Sequence, residues 1–254
     1  MYVSALSSPL ALDGRAAVAR SFVGVKKKLL IIGPVVVVAL VVGGWFVYDN
    51  LSSTKADTAF TLDTVKPSGA TTVVSATGLA DFVGVWGASD VSEAGYRMAE
   101  DTAAGDKTIT ARTNDVTGTA ELTAEDLSST NVTVGLAGLT SDQSLRDTAV
   151  RGIYLKTDEF PTAVFEQTTP VPIASVPAAG TPLNVSVPGN LTLKGATKPV
   201  TAQVQAISVD GVINVVGTIA LKLTDFGIDP PNIPGLATVK DEATIEFKLE
   251  LTRQ

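Results

Sequence analysis

The stretch Ala243-Thr244-Ile245-Glu246-Phe247-Lys248-Leu249-Glu250-Leu251 alternates strictly between apolar and polar side chains. Successive side chains of a strand point to opposite faces, so a period of two marks a strand with one buried and one wet face. The pattern recurs upstream. Leu183, Val185 and Val187 continue to Leu191 and Leu193, and Val200, Ala202 and Val204 alternate with Thr201, Gln203 and Gln205. Ile213, Val215, Ile219, Leu221 and Leu223 follow; Ile109 and Ala111, then Val132, Val134 and Leu136, extend the series towards the N-terminus. Turn residues separate the runs at Gly105-Asp106, Thr117-Gly118, Lys194-Gly195 and Pro230-Pro231-Asn232. Many such strands in one domain predict an all-β, extended antiparallel barrel of about eight strands over residues 85–254. One segment breaks the rhythm: Ser141-Asp142-Gln143-Ser144-Leu145-Arg146-Asp147 opens on helix-capping residues and predicts a short helix running to about Ile153.

Ahead of the β region lies Leu29 to Val47, nineteen residues without a charge. As a helix the run would extend about 28 Å, close to the roughly 30 Å core of a bilayer. Lys26, Lys27 and Lys28 precede it, and Trp45 and Tyr48 stand at its far end. By the positive-inside bias this predicts a cytoplasmic tail at 1–28, a transmembrane helix at 29–48, a spacer and entry segment at 49–84, and an extracytoplasmic domain. The localisation expected is thus a single-pass cell-membrane protein held in the cytoplasmic membrane through residues 29–47. A cleaved signal peptide is the rival reading, but its apolar region is usually only about 7–15 residues.

Residues 1–28 carry five Lys/Arg and one Asp, whereas the remainder carries 14 Lys/Arg and 25 Asp/Glu, a net of −11. So acidic a domain is not expected to bind nucleic acid, which needs a basic face. The 254 residues contain no cysteine and no histidine, which removes the commonest metal ligands and the usual general base at neutral pH. No nucleophile elbow, phosphate-binding loop or dinucleotide fingerprint is present. The acidic pairs Glu125-Asp126, Asp158-Glu159 and Asp241-Glu242 fall at turns, where solvated carboxylates are ordinary, and no calcium-loop spacing joins them. The chain is therefore expected to be a binding protein without a catalytic residue, metal or obligatory cofactor.

Four ordered motifs carry a resemblance. Ser141-Asp142 with Leu145-Arg146-Asp147 precedes Asp158-Glu159-Phe160-Pro161-Thr162-Ala163-Val164-Phe165. Gly189-Asn190-Leu191-Thr192-Leu193-Lys194-Gly195-Ala196-Thr197-Lys198-Pro199-Val200 follows, and Asp225-Phe226-Gly227-Ile228 leads to Val239-Lys240-Asp241-Glu242. With Trp86 and Gly95-Tyr96-Arg97 at the start, they resemble the YceI-like lipid/polyisoprenoid-binding family in its membrane-anchored actinobacterial type. The resemblance implies a lipocalin-like barrel whose apolar lumen takes an isoprenoid chain, such as a quinone tail or a polyprenyl lipid. On it, Tyr96, Phe160, Phe165, Leu193, Phe226 and Ile228 are the expected ligand-binding residues. Arg146, Asp147, Gly195 and Gly227 are expected to be structural, the first two bracing a loop and the glycines serving turns or bulges. Lys194 stands where the family often has histidine, so no role of that histidine transfers. The function implied is a membrane-anchored carrier or sequestering protein for an isoprenoid-type lipid. The alternative is a surface interaction module with a filled barrel; an enzyme acting on a lipid would need a carboxylate or lysine buried in the lumen.

Overall fold

The computed structural model describes residues 58–62, 78–103, 105–177, 181–209, 211–235 and 237–254. Its strands are β1 (Gly84–Ala88), β2 (Glu93–Thr102), β3 (Gly105–Thr113), β4 (Val116–Leu122), β5 (Asp126–Gly135) and β6 (Thr162–Gln167). Then come β7 (Val171–Pro172), β8 (Leu183–Leu193), β9 (Ala196–Val209), β10 (Val212–Lys222), β11 (Asn232–Ile233) and β12 (Ala237–Arg253). All pairings are antiparallel and run β1-β4-β5-β6-β8-β9-β10-β12. β12 is the closing strand. Its residues 251–253 pair with β1, while 237–248 pair with β2 on the same edge. β1 and β2 are thus two lengths of one interrupted strand, and β4 and β3 pair beside them as two lengths of the next. The result is the closed eight-strand barrel that the alternation predicts. Closure between β1 and β12 removes the edges there, while β3 ends the strand order with Arg112 bridged to Thr140 on its outer side.

The predicted alternation is the observed one. Along β8 the odd-numbered residues Val187, Gly189, Leu191 and Leu193 are buried and their even-numbered neighbours are not. The hairpin between β8 and β9 turns on two residues, Lys194 (φ 50°) and Gly195 (φ 75°). Positive φ at both positions is what a type I′ turn requires, and glycine adopts it without strain. Lys194 Nζ donates to the Gly227 carbonyl at 2.6 Å, tying this hairpin to the turn after the 3-10 segment Leu223–Phe226, where Gly227 has φ 65°.

Two helical segments cover the ends. At one, the 3-10 turn Leu79–Phe82 leads into β1, and Trp86 Nε1 donates to the Phe82 carbonyl at 2.8 Å. At the other, helix α1 (Ser144–Ala149) continues as a π-type turn (Val150–Leu155), ended by Lys156 in the left-handed region at φ 53°. Leu155 packs with Leu136, Leu139, Leu193 and Phe226 in the core at that end.

Among the described residues no helix is long and apolar enough to cross a membrane. The expected localisation as a single-pass cell-membrane protein with an extracytoplasmic domain is corrected accordingly. Most buried apolar side chains of the described residues lie on the strands, and α1 is six residues long. The tail at 1–28, the apolar run at 29–48 and most of the spacer at 49–84 lie outside the described residues.

Candidate ligand-binding lumen

The barrel interior is not filled. A cavity of about 230 Å³ occupies the end near Leu79 and Phe82, walled by side chains such as Val132, Phe165, Val187, Val204 and Phe247. A second cavity of about 130 Å³ lies under α1, walled among others by Tyr96, Met98, Tyr154, Leu193 and Ile228. Four residues line both: Ala94 of β2, Val134 of β5, Ala163 of β6 and Ile245 of β12. The two cavities are therefore adjacent chambers within the barrel that share part of their walls. Among the described residues, Arg146 is the sole charged side chain lining either chamber.

Glycines keep the larger chamber open. Phe247 of β12 faces Gly217 of β10 directly across the pair. A Cβ at Gly217 would lie 2.3 Å from Phe247 Cζ, so the end of the ring lies against bare backbone. Phe165 lies over Gly189 in the same way, with Cζ 2.4 Å from where a Cβ would stand. A glycine inside a strand commonly marks a close approach of this kind. With both rings laid against the wall, the centre of the barrel is left free.

The expected site residues divide. Phe165 lines the larger chamber; Tyr96, Leu193 and Ile228 line the smaller one. Phe226 and Phe160 line neither. Phe226 is 2% exposed within the core under the helical segment, and Phe160 lies over the turn at Gly195, its Cε1 2.8 Å from a Cβ position there. Gly189, Gly217, Phe247, Ala94 and Ala163 were not singled out from the sequence as site residues. A glycine at an inward strand position opposite an aromatic is the signal that could have found the first three.

Arg146 and Asp147 hold the loop before α1. Asp147 Oδ1 accepts from the Ser141 N–H at 2.9 Å and from Ser141 Oγ at 2.6 Å. Arg146 pairs with Asp142, and its Nη1 also donates to Ser141 Oγ at 3.3 Å. Both side chains are buried, so their geometry is fixed by these partners. Nearby, burial pushes the Tyr96 phenol well above its ordinary pKa, with the Arg146 charge opposing the shift. The phenol therefore stays neutral, and its oxygen is a buried donor without a hydrogen-bond partner among the described residues. Thr130 Oγ1, at the wall of the larger chamber, is another. No group of three or more Asp or Glu able to hold a metal ion occurs among the described residues.

On the outer face, Glu246 is 2% exposed and accepts from Arg97 Nε at 3.3 Å and from Arg112 Nε and Nη2 at 2.9 and 2.7 Å. The Arg112 guanidinium in turn sits 3.8 Å over the Phe60 ring. This cluster ties β2, β3 and β12 together on the side away from the lumen.

Residues 88–251 match the YceI-like domain. No match is found among curated proteins. The fold is similar to that of a polyisoprenoid binding domain from Saccharophagus degradans, with 16% identity, a TM-score of 0.53, and coverage of 68% of this chain and 99% of that one. It is similar also to BcnA of Burkholderia cenocepacia, with 17% identity, a TM-score of 0.51, and coverage of 64% and 98%. At such identities the likeness speaks for the fold alone, while the domain match spans well over half of the sequence. The chain belongs to the YceI-like domain family.

Proposed function

We propose that this protein binds an isoprenoid or similar amphiphilic lipid, its apolar chain lying along the barrel lumen, as a carrier or sequestering protein. The observation that carries the reading is the pair of adjacent apolar chambers inside the barrel, walled by Val, Leu, Ile, Phe and Ala side chains. Apolar burial drives such binding, at ~25 cal/mol per Å² removed from water. Space for a chain favours this reading over an interaction module with a filled barrel. The absence of a carboxylate or lysine from the lining, among the described residues, favours binding over catalysis on a lipid. The similar fold of the Saccharophagus polyisoprenoid binding domain supports the class of ligand. Tyr96, Phe165, Leu193 and Ile228 are the proposed contacts among the residues expected from sequence, joined by Phe247.

The full chain, purified without added lipid and extracted into organic solvent, tests this by mass spectrometry of the extract. A stoichiometric isoprenoid or other long-chain amphiphile is expected. A lipid-free protein that also fails to take up isoprenoid alcohols would overturn the reading.

A further inference from the structure

We propose that Ala94 and Ala163 form a waist that sets the length of chain the lumen accepts, an inference that rests on the lipid-binding reading above. The two chambers share four lining residues: Ala94 and Ile245 from the β2–β12 wall, Val134 and Ala163 from the β5–β6 wall. Val134 and Ala163 are direct cross-strand partners, and Ile245 is the partner of Tyr96, two residues on from Ala94. Each wall thus brings one large and one small side chain to the junction. The small ones are held on strands and buried, Ala94 at 3% exposure and Ala163 at 8%, so neither can withdraw. A short apolar chain fits within the larger chamber. A longer one must thread between the two alanines to reach the space walled by Tyr96, Leu193 and Ile228. A larger side chain at either alanine, each of which lines both chambers, would narrow or end the lumen at the waist.

The ligand class that follows is a linear chain long enough to occupy both chambers. Titration of the full chain with geraniol, farnesol and geranylgeraniol, which differ by one isoprene unit each, reads the length directly through displacement of a fluorescent apolar probe. Each buried carbon contributes up to about fourfold in affinity, so a fully buried five-carbon unit contributes up to about a thousandfold, and a gain of about tenfold or more per added unit is the sign of its burial. In Ala163→Met, the climb in affinity from geraniol to geranylgeraniol is expected to stop at a shorter alcohol than in wild type, whatever the shift for geraniol itself. Ala94→Val, from the opposite wall, should do the same, and thermal unfolding of both variants reports that the barrel is intact. An unchanged climb in both variants overturns the proposal. So does an equal weakening for all three alcohols, which marks a packing defect and not a limit on length. If wild type binds none of the alcohols, the lipid-binding reading itself falls, a result distinct from either.

Discussion

Replacing Gly217 by alanine tests at once why the barrel folds and why it is hollow. The backbone at Gly217 lies outside the left-handed region, so alanine is not strained by φ and gains roughly 0.4–1 kcal/mol from a stiffer unfolded chain. Against that, the new Cβ would stand 2.3 Å from Phe247 Cζ and 2.7 Å from the Gln203 carbonyl oxygen of β9. The ring can swing away; the carbonyl, held in the β9–β10 pairing, cannot move freely. Overpacking of this kind costs about 1–3 kcal/mol. The net expectation is a loss of roughly 1–2 kcal/mol, a fall in Tm of about 3–6 °C for a domain of this size. The displaced ring also enters the larger chamber. If it takes away about 60 Å² of ligand contact, apolar binding weakens by ~1.5 kcal/mol, close to tenfold. Thermal unfolding and titration with an apolar fluorescent probe measure the two effects. In a double-mutant cycle with Phe247→Leu, the shorter side chain makes room for the Cβ, so a favourable coupling of about 1 kcal/mol should appear. A Gly217→Ala protein with wild-type Tm and probe affinity, or a cycle without coupling, would refute the seating of the ring on glycine.

Three further outcomes follow from the polar contacts. Glu246→Gln removes a 3%-exposed carboxylate facing two guanidiniums that are themselves 24% and 19% exposed. Partial solvation of the arginines places the cost below the full range for a buried pair, at roughly 2–3 kcal/mol, read as a shifted urea midpoint with unchanged slope. Asp147→Ala strips two hydrogen bonds from Ser141 and should destabilise by about 1–3 kcal/mol, with hydrogen exchange accelerating first in residues 141–155. The Asp241 carboxyl accepts from the Thr224 N–H and hydroxyl, which hold it below its ordinary value of 3.8. A carboxyl depressed by folding stabilises above its unfolded value and ceases to do so as pH falls through its folded value. Wild type should therefore exceed Asp241→Asn in stability at neutral pH, and the gap should close in strong acid; a gap that persists there would contradict the assignment.

The barrel wall was legible because alternation is a local signal. Leu183 through Leu193, Val200 through Val204 and Ala243 through Leu251 each declare an inward face without reference to any other strand. The interrupting helix was legible from the break in alternation after Thr140, although its N-cap is Gln143 without a side-chain cap and Ser141 bonds Asp147 instead, and the turn at Lys194-Gly195 was legible from its glycine. Closure was not. That one edge of β12 serves both β1 and β2 depends on residues 251–253 meeting Trp86, Gly87 and Ala88 from the far end of the domain, a pairing that no window of sequence contains. The aromatic site residues divide for a related reason. Phe165 sits at an inward strand position, so its face was fixed by register, and it lines the lumen. Phe160 and Phe226 stand at turns beyond strand ends, where the period no longer dictates direction, and they cover the barrel end instead.

Whether a barrel of this size is filled or hollow is decided by volume, not by polarity, and apolar alternation carries polarity alone. The deciding residues here are small. Gly189 and Gly217 let two phenylalanines lie along the wall, and Ala94 and Ala163 leave the junction of the chambers open where larger side chains would meet. Each is unremarkable beside its own sequence neighbours, because a glycine or alanine within a strand weakens local propensity slightly and announces nothing further. Only against the partner across the sheet does it acquire meaning: Gly217 against Phe247, and Ala163 beside Val134. A hollow apolar interior forfeits packing contacts that a filled core would make, at a cost of roughly 24 cal/mol per Å³ of cavity by the large-to-small substitution scale. A chain bound along the lumen restores those contacts. Occupancy should therefore stabilise the fold as well as place the ligand, and filling the space from within should stabilise the empty protein while abolishing uptake. Ala163→Phe should raise the stability of the empty protein while shortening the chain it takes up, and a variant no more stable than wild type would count against the open lumen.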